Sequence, residues 1–248
     1  WCLYLSDKKD EFSGLLDHFI EQGDVSAMVG SLATRAEVRY GWNKPNLFCK
    51  RPLDYVYKSC LSEKCEFKDV FIEVAQDLLA SKEVTIRRQS LLTNGHQTAG
   101  NIFNLHKKLM SPIEEIIRSE IAAYRSHYKE STEGFLKEWP ENFILYGWLI
   151  STKRGGSLAA HMHEMGWLSA SIYINVPPKI NPHDGCLVVC TEDLDLREED
   201  QLDHKRIVDV NTGDVCFFPA SLLHYTMPFE SDEERIVLAF DVKPKRTD

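Results

Sequence analysis

The sequence lacks any run close to the roughly 18 consecutive apolar residues of a membrane-crossing helix, which excludes a helical membrane span. It also lacks an excess of positive charge: 29 Lys and Arg stand against 38 Asp and Glu, for a net charge of -9. Contact with phosphates needs clustered Lys and Arg, so no nucleic-acid partner is expected. There is no Cys-x-x-Cys pair and no zinc-ribbon spacing. The seven cysteines, at 2, 49, 60, 65, 186, 190 and 216, are odd in number and read as free thiols. A reducing compartment, and so a cytoplasmic location, is the expectation. The chain begins at Trp1 rather than Met and is expected to be a fragment or a processed chain, which leaves targeting signals open.

What is present suits a globular protein with a sizeable core: 43% hydrophobic and 27% charged residues in a chain of 248. Two halves differ in punctuation. Residues 1 to 138 read mostly helical. Phe12, Leu15, Leu16, Phe19 and Ile20 fall at helical spacing between Asp10 and Gln22, and a second segment follows Asp24 until Asn43-Lys44-Pro45-Asn46 breaks it. Further helical patterns cover Leu53 to Leu61, Lys68 to Ser81 and Pro112 to Tyr128. In the last, Ser111-Pro112 reads as a cap and first turn, and Ile113, Ile116, Ile117, Ile121 and Ala122 form an apolar stripe. The pair from Asp10 to Tyr40 has the form of the end of a helical repeat array, although one pair establishes no period.

Residues 140 to 248 carry short apolar or alternating runs separated by Gly, Pro, Asn and Asp. These are Phe143–Ser151, Leu158–His161, Trp167–Val176, Cys186–Cys190, Arg206–Val210, Asp214–Phe218, Leu223–Met227 and Arg235–Val242. Eight short strands at this spacing predict a sandwich or barrel, of which the jelly roll is one solution. The expected fold is therefore α+β: a double-stranded β-helix, jelly-roll or cupin-like, braced by N-terminal helices. The acidic run from Glu192 to Asp200 reads as a solvated loop or as a lid over a site.

Three signals carry chemistry. His161-Met162-His163 puts two imidazoles on the same side of an extended strand, where both can bind one metal. His224 follows the turn at Gly213-Asp214 and the run Phe217-Phe218-Pro219. Arg235 opens an apolar strand eleven residues further on, where an unpaired guanidinium would be costly and a carboxylate would satisfy it bidentately. Three protein ligands on one face of an iron ion leave three open positions, enough for a chelating 2-oxo acid and O2.

Together, Gly155 to His163, Trp167 to Pro177, Gly213 to His224 and Glu234-Arg235-Ile236 resemble the iron(II)- and 2-oxoglutarate-dependent oxygenases. The likeness is to the 2OG-Fe(II) oxygenase family often found behind tetratricopeptide repeats. Arg88 to Thr98 resembles that family's opening segment, so the resemblance covers roughly residues 85 to 243. It implies a jelly-roll fold, Fe(II) and 2-oxoglutarate as cofactors, and oxidation of a C–H bond of an organic substrate by O2 with release of succinate and CO2. The substrate would be a peptide or protein side chain or a small metabolite, and hydroxylation is the simplest outcome. Residues 1–84 then form a helical N-terminal region and 85–248 the oxygenase domain with its supporting helices.

The sequence departs from the family at two places. Most relatives carry a carboxylate where His163 stands, so three metal sites compete: His161, His163 and His224; His161, Glu164 and His224; or two histidines with a place for water or halide. Strand alternation favours His163, since Glu164 points the other way. A neutral imidazole there leaves the metal more positive than a carboxylate would. The family also often places a Ser two residues after its Arg, where this chain has Val237. Another hydroxyl is needed, and Tyr173, Ser151, Ser171 and Tyr146 are the candidates on strands, with Tyr173 and Ser151 taken forward beside Arg235. Trp148 and Trp167 read as core or pocket wall, Gln97, Thr98 and Asn101 as either entrance or caps, and Asp184-Gly185 as a turn. Two rivals stand beside the oxygenase: a cupin-type thiol dioxygenase, which holds iron with three histidines and needs no 2-oxoglutarate, and a non-catalytic jelly-roll binding module.

Overall fold

The computed structural model describes residues 1–192 and 203–245. Helix α1 is Cys2–Leu5, α2 Lys9–Glu21 and α3 Ala27–Tyr40. Ser26 caps α3 by accepting the Val29 N–H at 3.3 Å, and Gly41 ends it in the left-handed region at φ 68°, which a residue without Cβ adopts freely. These three helices bury Tyr4, Phe12, Leu16, Leu32 and Ala36 in a small core of their own. They are tied to the rest by charge. Arg35 of α3 donates to both carboxylate oxygens of Glu192, at 2.7 and 3.0 Å, and the Tyr4 hydroxyl donates to the same carboxylate. Glu192, the first residue of the acidic run, is thus buried rather than solvated. Residues 193 to 200 of that run lie outside the described residues.

The pattern over Lys68–Ser81 forms a wide turn (Lys68–Ile72) running into α4 (Glu73–Ala80). After α5 (Ile102–Leu105), α6 spans Lys107–His127. It starts five residues before Pro112, so the reading of Ser111-Pro112 as its beginning is corrected: the helix carries on through the proline. Ile113, Ile117 and Ile121 of the expected stripe are buried, whereas Ala122 faces solvent. The short α7 is Gly134–Lys137.

Among the described residues ten antiparallel strands form one curled sheet. They are β1 (Tyr57–Cys60), β2 (Ile86–Arg87), β3 (Leu92–Thr98), β4 (Phe143–His161), β5 (Leu168–Asn175), β6 (Leu187–Cys190), β7 (Lys205–Val208), β8 (Asp214–Pro219), β9 (Leu223–Thr226) and β10 (Arg235–Pro244). The order is β1-β8-β5-β10-β4-β9-β6-β7, with β3 and then β2 attached along β4. This is the expected jelly-roll-like half-barrel with helices. The two runs Phe143–Ser151 and Leu158–His161 are one strand, β4. It pairs with β10 over residues 143–152 and reaches β9 at Leu158 and His161, so it bridges the two halves of the curl.

The helical reading of Leu53–Leu61 is corrected. Pro52–Tyr55 makes one tight turn, and Tyr57–Cys60 then runs as a strand along the edge of β8. Pro52 fixes φ for a first turn, but the pattern that follows is short, and pairing with β8 wins over helical propensity. A strand before residue 84 means that the sheet recruits chain from the N-terminal region. One core cluster likewise runs from Ala27 to Val242.

Side chains on strands alternate, and the sheet uses both faces. Leu145 and Leu149 of β4, Leu168 and Ile172 of β5, and Leu238, Phe240 and Val242 of β10 share a core with Ile113, Ile117 and Ile121 of α6. The opposite face closes a cavity of about 390 Å3. All seven cysteines are free. Among the described residues no helix is long and apolar enough to cross a membrane.

Candidate metal and 2-oxo-acid site

His161 ends β4 and His224 lies on β9, and the two are direct cross-strand partners. Antiparallel partners present their side chains to the same face. His163 follows two residues later and returns to that face. The three rings pack with centroids 4.3 to 5.1 Å apart, and one nitrogen from each lies within 4.8 Å of the others.

The hydrogen-bond partners fix how two of these rings present themselves. His161 Nδ1 is 2.9 Å from the Ala159 carbonyl, and His163 Nδ1 is 2.6 Å from Asp241 Oδ1. A carbonyl and a carboxylate only accept, so each Nδ1 carries the hydrogen and each Nε2 presents its lone pair. Those two Nε2 atoms face each other at 3.2 Å. Two nitrogens at about 2.1 Å from a common ion and at a right angle to it would be about 3.0 Å apart. Burial, and then the neighbouring His163, push the His161 pKa down to about 4, and burial drives that of His224 well below its usual value. Both rings are neutral near pH 7. His224 Nδ1 is buried with no partner. Neutral rings with nitrogens this close together fit a metal ion. Glu164, the alternative ligand, is exposed at the cavity edge and does not join the cluster.

Arg235 opens β10 on the same cavity. It is 4% exposed, and its guanidinium donates to the Gly185 carbonyl at 3.2 Å and lies 5.3 Å from the Tyr173 ring centroid. Its Nε has no partner, and among the described residues no carboxylate pairs with it. Burial pulls its pKa down, as expected for a cation without a counter-charge. Its cross-strand partner is Thr152. The Thr152 hydroxyl is also buried, unpartnered and in the cavity wall.

Of the hydroxyl candidates, Tyr173, Ser171 and Tyr146 line the cavity. Ser151 does not, and its assignment beside Arg235 is corrected. On β4 the even-numbered side chains from Tyr146 to Thr152 face inward, so Ser151 turns outward and bonds Glu234. The pleat decides this, and a one-residue offset changes the face. Alternation along β4 relative to Trp148 could have found Thr152. Gln97 reaches the cavity. Thr98 instead accepts the Leu149 N–H, and Asn101 caps α5 and bonds Leu145 and Gly147. Trp148 is cavity wall, edge-on to His163 at 5.3 Å, while Trp167 is core and donates to the Phe135 carbonyl at 2.6 Å. Asp184 accepts the Ile180 and Asn181 N–H groups and is a turn residue, as expected. Asp241 and Ser169 sit behind His163 and were not anticipated.

Residues 147–241 match the family model described as "Putative 2OG-Fe(II) oxygenase". This matched segment contains all three histidines, Thr152 and Arg235. No curated protein matches the chain in sequence. Among solved structures, the chain is similar to the non-heme alpha-ketoglutarate-dependent epimerase SnoN from nogalamycin biosynthesis, solved with Fe3+, alpha-ketoglutarate and nogalamycin RO. The TM-score is 0.55 at 16% identity, over 85% of this chain and 82% of that one. It is also similar to the carbocyclase SnoK from the same biosynthesis, with TM-score 0.53 at 16% identity over 78% and 82%. A third is HygX from Streptomyces hygroscopicus with nickel and 2-oxoglutarate bound, with TM-score 0.50 at 12% identity over 77% and 83%. At these identities the shared property is the fold.

Proposed function

We propose that this chain is an iron(II)- and 2-oxoglutarate-dependent oxygenase that hydroxylates a C–H bond, with His161, His163 and His224 holding the iron. The single observation that carries this reading is that a three-histidine cluster and a buried, uncompensated arginine open on one cavity. Arg235 receives the far carboxylate of 2-oxoglutarate, whose charge it lacks. Thr152 donates its free hydroxyl to the same carboxylate, and Tyr173 packs under the guanidinium. When bound, the iron supplies the site at which O2 is reduced as the 2-oxo acid loses CO2. Trp148 packs edge-on to His163 and Phe218 lies against His224.

Arg87, Gln97, Met165 and Lys243 line the remaining space, which would take a peptide or protein side chain or a small metabolite. Seven free thiols fit a reducing, cytoplasmic setting, and the acidic balance fits a protein without a nucleic-acid partner. The buried Arg235 separates this reading from a thiol dioxygenase, which needs no carboxylate clamp. The test is succinate release from 2-oxoglutarate by the ferrous protein in air. Succinate that depends on iron and disappears in His161→Ala and Arg235→Leu is expected. Oxidation of a thiol without succinate would overturn the proposal.

A further inference from the structure

Asp241 lies on the cavity face of β10, six residues and three pleats beyond Arg235, with Ser169 of β5 and Tyr146 of β4 as its cross-strand partners. It is 1% exposed. Its Oδ1 accepts from His163 Nδ1 at 2.6 Å and from the Ser169 hydroxyl at 2.8 Å, while Ser169 Oγ is 3.3 Å from the same His163 nitrogen. Lys243 Nζ lies 3.9 Å from the other carboxylate oxygen. A carboxylate this deep is costly unless its bonds are made, and its shortest bond goes to the ring of a metal-ligand candidate.

We infer that Asp241 is a positioning residue for the metal: it fixes the ring of His163 and supplies through it the negative charge that a carboxylate ligand at position 163 would have supplied. Two consequences follow from the contact. The imidazole is locked in the tautomer that presents Nε2 to the metal, and the anion behind it makes that nitrogen a stronger donor. Three imidazoles and one outer carboxylate carry the same formal charge as two imidazoles and one carboxylate ligand. The replacement of Asp or Glu by His at position 163 is then offset from β10. The inference needs only a metal on the three histidines. Its link to iron rests on the proposed function.

The test uses the whole chain and Co(II) alone, titrated anaerobically and read by the visible Co(II) spectrum. Asp241→Asn keeps an acceptor for His163 but removes the charge. It is expected to weaken Co(II) binding by about 10–100-fold and to shift the spectrum, with the thermal unfolding of the metal-free protein little changed. Glu164→Gln is expected to leave binding as in the unaltered protein. Asp241→Asn binding Co(II) within about twofold of the unaltered protein, with the same spectrum, would overturn the inference.

A second pair of variants tests the same contact from the His163 side. His163→Asp places two carboxylates side by side and should bind Co(II) poorly, and adding Asp241→Asn to it should restore binding. A double variant no better than His163→Asp would also overturn the inference. If Co(II) binding depends on Asp241 but 2-oxoglutarate neither binds nor yields succinate, the oxygenase reading fails and the role of Asp241 stands.

Discussion

On β4, Leu145 and Leu149 point outward into the core shared with α6, while Tyr146, Trp148, Ile150 and Thr152 point inward around the cavity. β10 divides in the same way, with Leu238, Phe240 and Val242 outward and Arg235, Val237 and Asp241 inward. The two faces share backbone, register and hydrogen bonds, and differ only in parity. The outward face is apolar. The inward face holds the unsatisfied polar atoms: Thr152 Oγ1, Arg235 Nε and His224 Nδ1 are all buried without partners. Buried polar groups are normally paired. Three unpaired polar groups gathered around one cavity suit ligand binding there better than they suit stability. Substitutions on the outward face should therefore cost stability, and substitutions on the inward face should cost ligands.

The largest effect is expected at the histidines. Alanine at His161, His163 or His224 should remove metal binding measured by calorimetry, with the metal-free protein still folded, whereas Glu164→Ala should bind metal normally. The reverse result for His163 and Glu164 would break the assignment. On the outward face, Phe240 is fully buried and packs edge-on against Phe103 and Phe217. Phe240→Ala should cost about 3–5 kcal/mol in chemical denaturation, with metal stoichiometry intact in the folded fraction. Arg235→Leu removes the clamp and should weaken 2-oxoglutarate binding by about 2–5 kcal/mol while leaving metal affinity alone. The smallest effect sharpens the comparison most. Thr152→Val should weaken 2-oxoglutarate binding by about 1.5 kcal/mol, roughly tenfold, whereas Ser151→Ala, one residue away on the other face, should leave it unchanged.

Much of this was legible in the sequence, because strands with strong alternation declare both their existence and their faces. The runs behind β5 to β10 are each realised within a few residues, and the metal candidates and Arg235 fall on one cavity because HxH and cross-strand pairing obey the same period of two. What was not legible has physical causes. β1 has a four-residue pattern that also suits a helix, and its identity comes from the edge of β8. β3 is polar, Leu92-Thr93-Asn94-Gly95-His96-Gln97-Thr98, and exists through its pairing with β4. Ser151 and Thr152 are both hydroxyls on one strand, and only the position of the pleat separates them. Asp241 follows an apolar run, and its role depends on Ser169 and His163 arriving from other strands. The burial of Glu192 depends on Arg35, which is 157 residues away in the chain.

In the proposed site the metal would hold the 2-oxo end of 2-oxoglutarate on the three histidines, and Arg235 would hold its far carboxylate. Anaerobic calorimetric titration of 2-oxoglutarate into the protein, with and without Fe(II), tests it directly. The account predicts one 2-oxoglutarate per chain, binding much more tightly with Fe(II) than without, and loss of that binding in both His163→Ala and Arg235→Leu. Binding of equal strength without metal, or none with it, would contradict the account.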